Sequence, residues 1–416
     1  MSYKRIIDIN WDFKTADTKE FTHCFHVYPA MMIPQVARRL IHDFKPQGTC
    51  NLLFDPYMGS GTSLVEAMIA GINSIGTDIN PLAKFIAKAK TKTTYFDVDE
   101  IEKHVAHIQM LNFTFDPSKV INTDFSRISN YTFWYSEDVL LKLSYISQSI
   151  KQLKEEYQLF FNIALSEVVR ESSFTRNSEF KRFKMNEKQL HKFTPDVFGL
   201  FNGKVSRNLK GLKQFCENKS SAISQIFDFN TVYNIPSTIL SNESVDMIVT
   251  SPPYGDSHTT VAYGQFSRWA NEWFGFENAK NIDKLLMGGK RQCQENFRTI
   301  TIKEELLNIK EIDAKRYAEV ISFLNDYHHS IRNIAPIVRK GGRVCYVVGN
   351  RTVKGIQISL DYFTAEMFEK YGFRHEQTIV RHIPNKRIPS KTCPSNKVGE
   401  KIDTMSNEFI VIMSKM

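Results

Sequence analysis

The amino-acid sequence predicts an α/β fold in which a mainly parallel, doubly wound sheet is interrupted by a large, mainly helical insertion. A strand, a glycine turn, a helix and a second strand follow one another at residues 49–78, a pattern typical of a βαβ unit. Apolar strand patterns return at 245–250, 343–349 and 409–413. Residues 97–233 instead carry long amphipathic stretches with helical periodicity, so we expect the insertion there.

These patterns divide the chain into three segments. Residues 1–94 hold the first part of the sheet domain, residues 95–235 form the mainly helical insertion, and residues 236–416 complete the sheet. The insertion has roughly 140 residues, which is the size of a domain. The sequence contains no internal repeat and no low-complexity tract, which excludes a repeat architecture.

The charge balance favours a polyanionic partner. Lys and Arg number 54 against 45 Asp and Glu, a net charge of +9, and such an excess is typical of nucleic-acid-binding proteins. The chain has no apolar run of membrane-spanning length and its start lacks a signal-peptide core, so we predict a cytoplasmic protein. The six cysteines form no CxxC pair and the histidines are dispersed, so we predict no metal and no disulfide framework.

The glycine turn at residues 59–62 predicts a nucleoside-binding pocket. Glycine has no Cβ and accepts positive φ, which lets the backbone approach a ligand closely. Asp78 follows at the end of the second strand, where a carboxylate can bind both hydroxyls of a ribose. The turn lacks the third glycine of a dinucleotide fingerprint and the lysine of a P-loop, so a phosphate ligand is disfavoured.

The tetrapeptide Ser251, Pro252, Pro253 and Tyr254 is the predicted catalytic motif. It directly follows an apolar strand, at the carboxyl end where open α/β sheets bind their ligands. The two prolines hold the chain extended, so that the Ser251 hydroxyl and the Pro252 carbonyl can accept the two hydrogens of an exocyclic amino group. This would localise the nitrogen lone pair and make it a better nucleophile, and Tyr254 could stack on the planar ring that carries the amino group.

Residues 54–62 (FDPYMGSGT) and the tetrapeptide together resemble the motifs of the S-adenosylmethionine-dependent DNA amino-methyltransferases, in particular the N4-cytosine-specific type of restriction-modification systems. The resemblance covers roughly residues 20–90 and 240–416. It implies a Rossmann-like methyltransferase sheet, S-adenosylmethionine as cofactor, and the N4 amino group of cytosine in double-stranded DNA as target. It also implies base flipping, target recognition within 95–235, and a cognate restriction endonuclease as partner.

By this resemblance, the cofactor is held by four short segments. His26 and Tyr28 would close over its methionine end, Asp55 and the glycine turn would hold the methionine part, and Asp78 would hold the ribose. The implied cofactor-binding residues are His26, Tyr28, Asp55, Pro56, Tyr57, Gly59, Ser60, Gly61, Thr62, Asp78, Ile79 and Asn80. For the adenine, no clear acidic residue is found around residues 235–237.

Two basic stretches are the predicted DNA contacts. Cations there alternate with hydroxyls and aromatics, as phosphate and base contacts require, although a solvated helix face would look similar. The predicted residues are Arg170, Arg176, Lys181, Arg182, Lys386 and Arg387.

Three alternatives stay open at this stage. The same site chemistry would suit the N6 of adenine in DNA or the N2 of guanine in RNA. A noncatalytic nucleic-acid-binding module could keep the fold without the activity. A nucleotide-dependent dehydrogenase shares the βαβ opening but leaves the tetrapeptide unexplained. Carbon methylation of cytosine is disfavoured, because it needs a cysteine nucleophile, typically in a Pro-Cys pair that this sequence lacks.

Overall fold

The computed structural model describes residues 3–92, 97–120, 124–177, 179–257, 259–383, 391–392, 402–403 and 406–416. Its centre is an eight-stranded sheet in the order β1-β9-β12-β6-β5-β2-β3-β4. The strands are β1 (Arg5–Ile7), β2 (Leu52–Asp55), β3 (Asn73–Thr77), β4 (Ser224–Phe227), β5 (Val245–Thr250), β6 (Val338–Val348), β7 (Thr352–Val353), β8 (Ile356–Gln357), β9 (Phe373–His382), β10 (Lys391–Thr392), β11 (Ile402–Asp403) and β12 (Asn407–Lys415). The predicted α/β fold is confirmed.

The strand order creates a switch point between β2 and β5. From β2 the chain proceeds outward through β3 to β4, whereas β5 begins the other half of the sheet through β6. Among the described strands of this sheet, β12 alone runs antiparallel to its neighbours. Because ligands bind where the strand order reverses, the carboxyl ends of β2 and β5 are the expected place for a site.

Fifteen helices surround the sheet in the described part of the chain. They are α1 (Pro34–Phe44), α2 (Thr62–Ile69), α3 (Pro81–Lys92), α4 (Val98–Gln109), α5 (Leu111–Thr114), α6 (Tyr131–Trp134), α7 (Glu137–Lys151), α8 (Glu155–Glu171), α9 (Glu187–Leu190), α10 (Val197–Asn218), α11 (Tyr263–Trp273), α12 (Ile282–Leu285), α13 (Lys303–Ile312), α14 (Ala314–Ile334) and α15 (Leu360–Lys370). Across the described residues, we find no helix with the length and apolar character that crossing a bilayer demands.

The helical insertion shares a hydrophobic core with the sheet domain. Phe160 of α8 and Leu143 of α7 pack in one buried cluster with Ile86 of α3 and Trp269 of α11. Since α11 directly follows the catalytic tetrapeptide, the insertion is built against the predicted site.

The sheet resumes earlier than the boundary expected at residue 235. β4 pairs in parallel with β3 from Ser224 to Phe227, and the helical segment already ends with α10 at Asn218. β4 is a short edge strand of mixed polarity, of which only Ser224 is fully buried. An apolar strand pattern is therefore absent, and no periodicity in these residues separates β4 from the preceding helices.

Candidate active site

The cofactor motif and the catalytic motif meet at the switch point. Asp55 ends β2 and Thr250 ends β5, and the Thr250 hydroxyl donates a 2.6 Å hydrogen bond to Asp55 Oδ1. The same oxygen accepts from the backbone N–H of Tyr57 at 3.1 Å. Burial raises the pKa of Asp55 to about 6. The two motifs are thus joined through one buried carboxyl group.

The glycine turn has the backbone that its sequence predicts. Gly59 and Gly61 have φ of 47° and 77°, in the left-handed region, and α2 begins directly after Gly61. A Cβ at Gly61 would lie 2.8 Å from the Cβ of Ala87, so glycine is required there by space as well as by backbone conformation.

Asp78, at the end of β3, stabilises this turn through hydrogen bonds to the backbone. Its Oδ2 accepts from the Gly59 N–H at 3.1 Å, and its Oδ1 accepts from the Asn80 N–H at 2.8 Å. Burial raises the pKa of Asp78 to about 6. Asp78 nevertheless lines the cleft described below, so its carboxyl group can contact a ligand.

The N-terminal segment forms one wall of the site through Tyr28. Its hydroxyl accepts a 2.9 Å hydrogen bond from the side chain of Asn80, and its ring stacks on Tyr263 at 5.8 Å between centroids. His26 is buried beside Phe266, and its Nδ1 lies 2.5 Å from the Val27 carbonyl oxygen. Asn80 and His26 are therefore supports of the wall, and neither lines the cleft.

A single cleft connects the two motifs. Its volume is about 600 Å³, including space open to solvent, which is in the size range of small-molecule sites. The lining residues that the sequence predicted are Tyr28, Asp55, Tyr57, Gly59, Ser60, Thr62, Asp78, Ser251 and Pro253. The cleft lining does not include Pro56, Gly61, Ile79, Pro252 or Tyr254.

Sequence reasoning missed the apolar part of this lining. It consists of Pro29, Ala30, Met31, Met32, Met58, Tyr263 and Leu286, together with the polar Ser63. Residues 29–32 directly follow Tyr28, and this position next to a predicted cofactor-binding residue could have identified them as part of the cleft. Leu286 comes from a distant loop, for which no local pattern exists.

In the catalytic motif, the Ser251 hydroxyl has two polar contacts. Its hydroxyl donates to the Val347 carbonyl oxygen at 3.0 Å and lies 3.1 Å from the Tyr254 hydroxyl oxygen. Tyr254 in turn donates to Glu408 Oε1 at 3.1 Å. Burial, with Glu408 as the second cause, raises the pKa of Tyr254 well above its ordinary value, so its hydroxyl keeps its proton.

The loop after the tetrapeptide is pinned by Arg351. This guanidinium pairs with Asp256 at 3.2 Å and lies so close over Gly255 that any Cβ there would collide with it. Asp256 also accepts from the Thr259 N–H at 2.9 Å. The catalytic loop is thereby tied to the segment that follows β6.

Comparison with known proteins identifies the family. No family model matches the chain. The Type II methyltransferase M.MvaI of Kocuria varians is 36% identical over 440 residues, which cover 99% of this chain and 95% of that protein. The chain belongs to the type II methyltransferases.

Two further similarities are more distant. The Type II methyltransferase M.BsoBI of Geobacillus stearothermophilus is 22% identical over a match that covers 86% of the present chain and 80% of M.BsoBI. A putative DNA modification methylase from Thermus thermophilus, solved in complex with S-adenosyl-L-methionine, matches with a TM-score of 0.21 and 18% identity, over 44% of this chain and 51% of that one.

The basic residues of the methyltransferase are less uniformly exposed than the sequence suggested. Arg170 is buried, with its guanidinium 4.6 Å from the centre of the Phe266 ring and donating to the Glu179 carbonyl. The prediction that Arg170 contacts DNA is therefore wrong for this structure. A cation in a helical pattern can also bury itself on an aromatic face, and sequence alone does not separate the two.

The other predicted DNA contacts differ in exposure. Lys181 is exposed, whereas Arg176 is half-buried and pairs with Glu179 at 3.4 Å. Arg182 is half-buried, with its guanidinium 4.7 Å from the centre of the Trp269 ring. Two of the predicted contacts, Lys386 and Arg387, lie outside the described residues.

An acidic residue stands at the carboxyl end of β4. Asp228 directly follows Phe227 and pairs with Lys84 at 3.3 Å, with most of its side chain exposed. It was missed because β4 was missed. Among the described residues, no group of three or more His, Cys, Asp or Glu is arranged to hold a metal ion, and the absence of a metal stays a prediction.

Proposed function

We propose that this methyltransferase transfers a methyl group from S-adenosylmethionine to the N4 amino group of cytosine in a specific double-stranded DNA sequence. The coarser class, site-specific DNA methylation in a restriction-modification setting, follows from the family. The observation that supports methyl transfer at the tetrapeptide is that Ser251 and Pro253 line the same cleft as Gly59 and Asp78. The choice of cytosine N4 rests on the serine at the first position of the tetrapeptide. A cognate restriction endonuclease that cuts the same sequence is part of this proposal.

S-adenosylmethionine is the cofactor of this methyltransferase, and the cleft fits it. Gly59 provides a backbone without a Cβ, and Asp55 and Asp78 provide two carboxyl groups whose pKa values are raised to about 6 by burial. A ligand that brings positive charge and hydroxyl donors would stabilise the ionised form of these carboxyl groups. When bound, the cofactor supplies an activated methyl group on a sulfonium. Asp78 would hold the ribose. Asp228 does not line the cleft, but it follows β4 at the same edge of the sheet as Asp78 follows β3, and we assign it to the adenine on that ground.

The protein would activate the amino group by accepting its hydrogens. The hydroxyl proton of Ser251 is donated to Val347, so the remaining lone pairs of its oxygen are available to an amino hydrogen. The Pro252 carbonyl is the second acceptor. Accepting both hydrogens localises the nitrogen lone pair and stabilises the positive charge that develops on nitrogen. Ser251 is not a strong base, so the proton leaves to solvent after methyl transfer.

DNA would approach over the loop that carries Lys181. This loop is closed at its base by a bridge between Thr175 and Lys184, and it is anchored on α11 by Arg182. Phe183 and Phe133 are each about half exposed, and the ammonium of Lys184 lies 3.6 Å from the centre of the Phe133 ring. Exposed aromatics beside cations suit phosphate and base contacts.

The contribution of this loop can be measured as a salt dependence. We expect Lys181→Ala to weaken DNA binding with little dependence on sequence and to reduce the slope of log affinity against log salt by about 0.9, the value for one phosphate contact. The matched control is Lys340→Ala, because Lys340 is exposed near the start of β6, remote from the carboxyl ends of the strands. Equal slopes for Lys181→Ala and the native protein would remove Lys181 from the interface.

Cofactor binding should depend on pH. Asp55 and Asp78 have pKa values of about 6, so both become protonated as the pH falls below that value. We expect S-adenosylmethionine affinity to be constant above about pH 7 and to fall below pH 6 by up to about tenfold per pH unit for each carboxylate that contacts it. Calorimetric titration between pH 5 and 8 measures this, and Asp78→Asn should flatten the profile. A level profile in the native protein would contradict the assignment.

The target atom is tested by nucleoside mass spectrometry of genomic DNA and of total RNA from cells that express the protein. Matched variants Ser251→Ala and Tyr254→Ala control for host enzymes. N4-methylcytosine that appears only with the native protein supports the proposal. N6-methyladenine instead would leave the cleft and its cofactor intact and refute our interpretation of Ser251, and methylation confined to RNA would refute the DNA target.

A further inference from the structure

A series of close polar contacts leads from the catalytic serine to a neighbouring strand. Ser251 Oγ lies 3.1 Å from the Tyr254 hydroxyl oxygen, which lies 3.1 Å from Glu408 Oε1. Glu408 belongs to β12, more than 150 residues after the tetrapeptide, and it does not line the cleft. Its contact with the motif therefore acts through Tyr254 alone.

The number of hydroxyl protons determines which of these oxygens can accept a further hydrogen bond. Two hydroxyl groups carry two protons, and a carboxylate can only accept. Tyr254 donates its proton to Glu408, and Ser251 donates its proton to the Val347 carbonyl oxygen. Both protons are then directed away from the lone pairs of Ser251 Oγ that an amino hydrogen needs.

We propose that Glu408 is a positioning residue that keeps Ser251 Oγ free to accept a hydrogen from the target amino group, by drawing the Tyr254 proton to itself. Without the carboxylate, Tyr254 would turn its proton onto Ser251 Oγ and occupy the acceptor. This inference rests on the proposed function, because it assigns Ser251 Oγ the role of acceptor.

Glu408 is fixed for this role by Arg381. The Arg381 guanidinium pairs with Glu408 Oε2 and is buried, and its Nε donates to the Trp11 carbonyl oxygen at 2.8 Å. The two oxygens of the Glu408 carboxylate thus have different partners: Oε2 pairs with Arg381, and Oε1 accepts the hydrogen bond from Tyr254. The N-terminal segment and β9, which carries Arg381, thus hold the carboxylate in place from outside the cleft.

A rescue experiment tests the proposal. Glu408→Gln replaces an acceptor by an amide that can donate to Tyr254, so we expect the single-turnover methylation rate to fall about tenfold or more, the scale of one misdirected hydrogen bond. Tyr254→Phe removes the phenol proton but keeps the stacking ring, so it supplies the reference rate against which the double variant is compared. The double variant should recover the rate of Tyr254→Phe, because no proton remains to block Ser251.

Fold and cofactor binding are measured in the same variants. Thermal denaturation and S-adenosylmethionine affinity should be unchanged in Tyr254→Phe. Glu376→Gln is the matched control, since Glu376 pairs with Arg374 on β9 at the opposite end of that strand from Arg381, and it should keep the native rate. Should Glu408→Gln not fold, Glu408→Asp, which withdraws the carboxylate from Tyr254, takes its place with and without Tyr254→Phe; a loss of rate only while the Tyr254 hydroxyl is present would support the proposal, and an equal loss in both would overturn it.

Each result has one meaning. Recovery of the rate in the double variant supports the proposal, because a purely structural defect at Glu408 would persist when Tyr254 loses its hydroxyl. Equal losses with and without that hydroxyl would overturn it, as would a Glu408→Gln rate equal to the native rate. If the native protein methylates no DNA, the proposed function and this inference are refuted together. The native rate therefore distinguishes that failure from a failure of the inference alone.

Discussion

Replacement of Tyr254 by alanine is expected to lower the methylation rate roughly 10- to 100-fold while S-adenosylmethionine affinity stays unchanged. Loss of an aromatic stacking partner costs about 1–3 kcal/mol per base. Ser251 and Pro253 line the cofactor cleft but Tyr254 does not, so the loss should fall on the base and spare the cofactor. Single-turnover methylation and calorimetric titration measure the two effects separately.

The control for this variant is another tyrosine. Tyr233→Ala truncates a ring that is 66% exposed, and it should leave both quantities at native values. Tyr254→Ala that turns over at the native rate would remove the stacking role. Tyr254→Ala that loses cofactor affinity would instead mean that the ring supports the cleft wall.

The parts of the site that the sequence predicted are those whose chemistry is local. The turn at Gly59 and Gly61 needs a positive φ that only glycine adopts freely, and Asp78 follows it at the spacing of one βαβ unit. The tetrapeptide is likewise recognisable because two prolines fix its backbone and a strand precedes it. Each of these signals lies within about 30 residues, the range over which pattern reasoning is strongest.

The parts that it did not predict come from tertiary contacts. Arg170 has the same local pattern as a surface cation, and only its packing on Phe266 distinguishes the two. Glu408 contacts Tyr254 because β12 lies between β6 and β9 in the sheet. No local sequence pattern predicts that strand order. The early end of the insertion at β4 was missed because a short edge strand buries too little apolar surface to be recognised.

Asp78→Ala is expected to weaken S-adenosylmethionine binding by about 1–3 kcal/mol, the scale of hydrogen bonds to a charged group. The carboxylate would bind the ribose hydroxyls, and it also braces the turn by accepting from the Gly59 N–H at 3.1 Å, so the variant loses a ligand contact and its support together. Asp78→Asn keeps one acceptor oxygen and should lose less. Calorimetric titration at pH 8 measures both, with Asp138→Ala, an exposed acid on α7, as the control. Native affinity in Asp78→Ala would mean that the ribose lies elsewhere in the cleft.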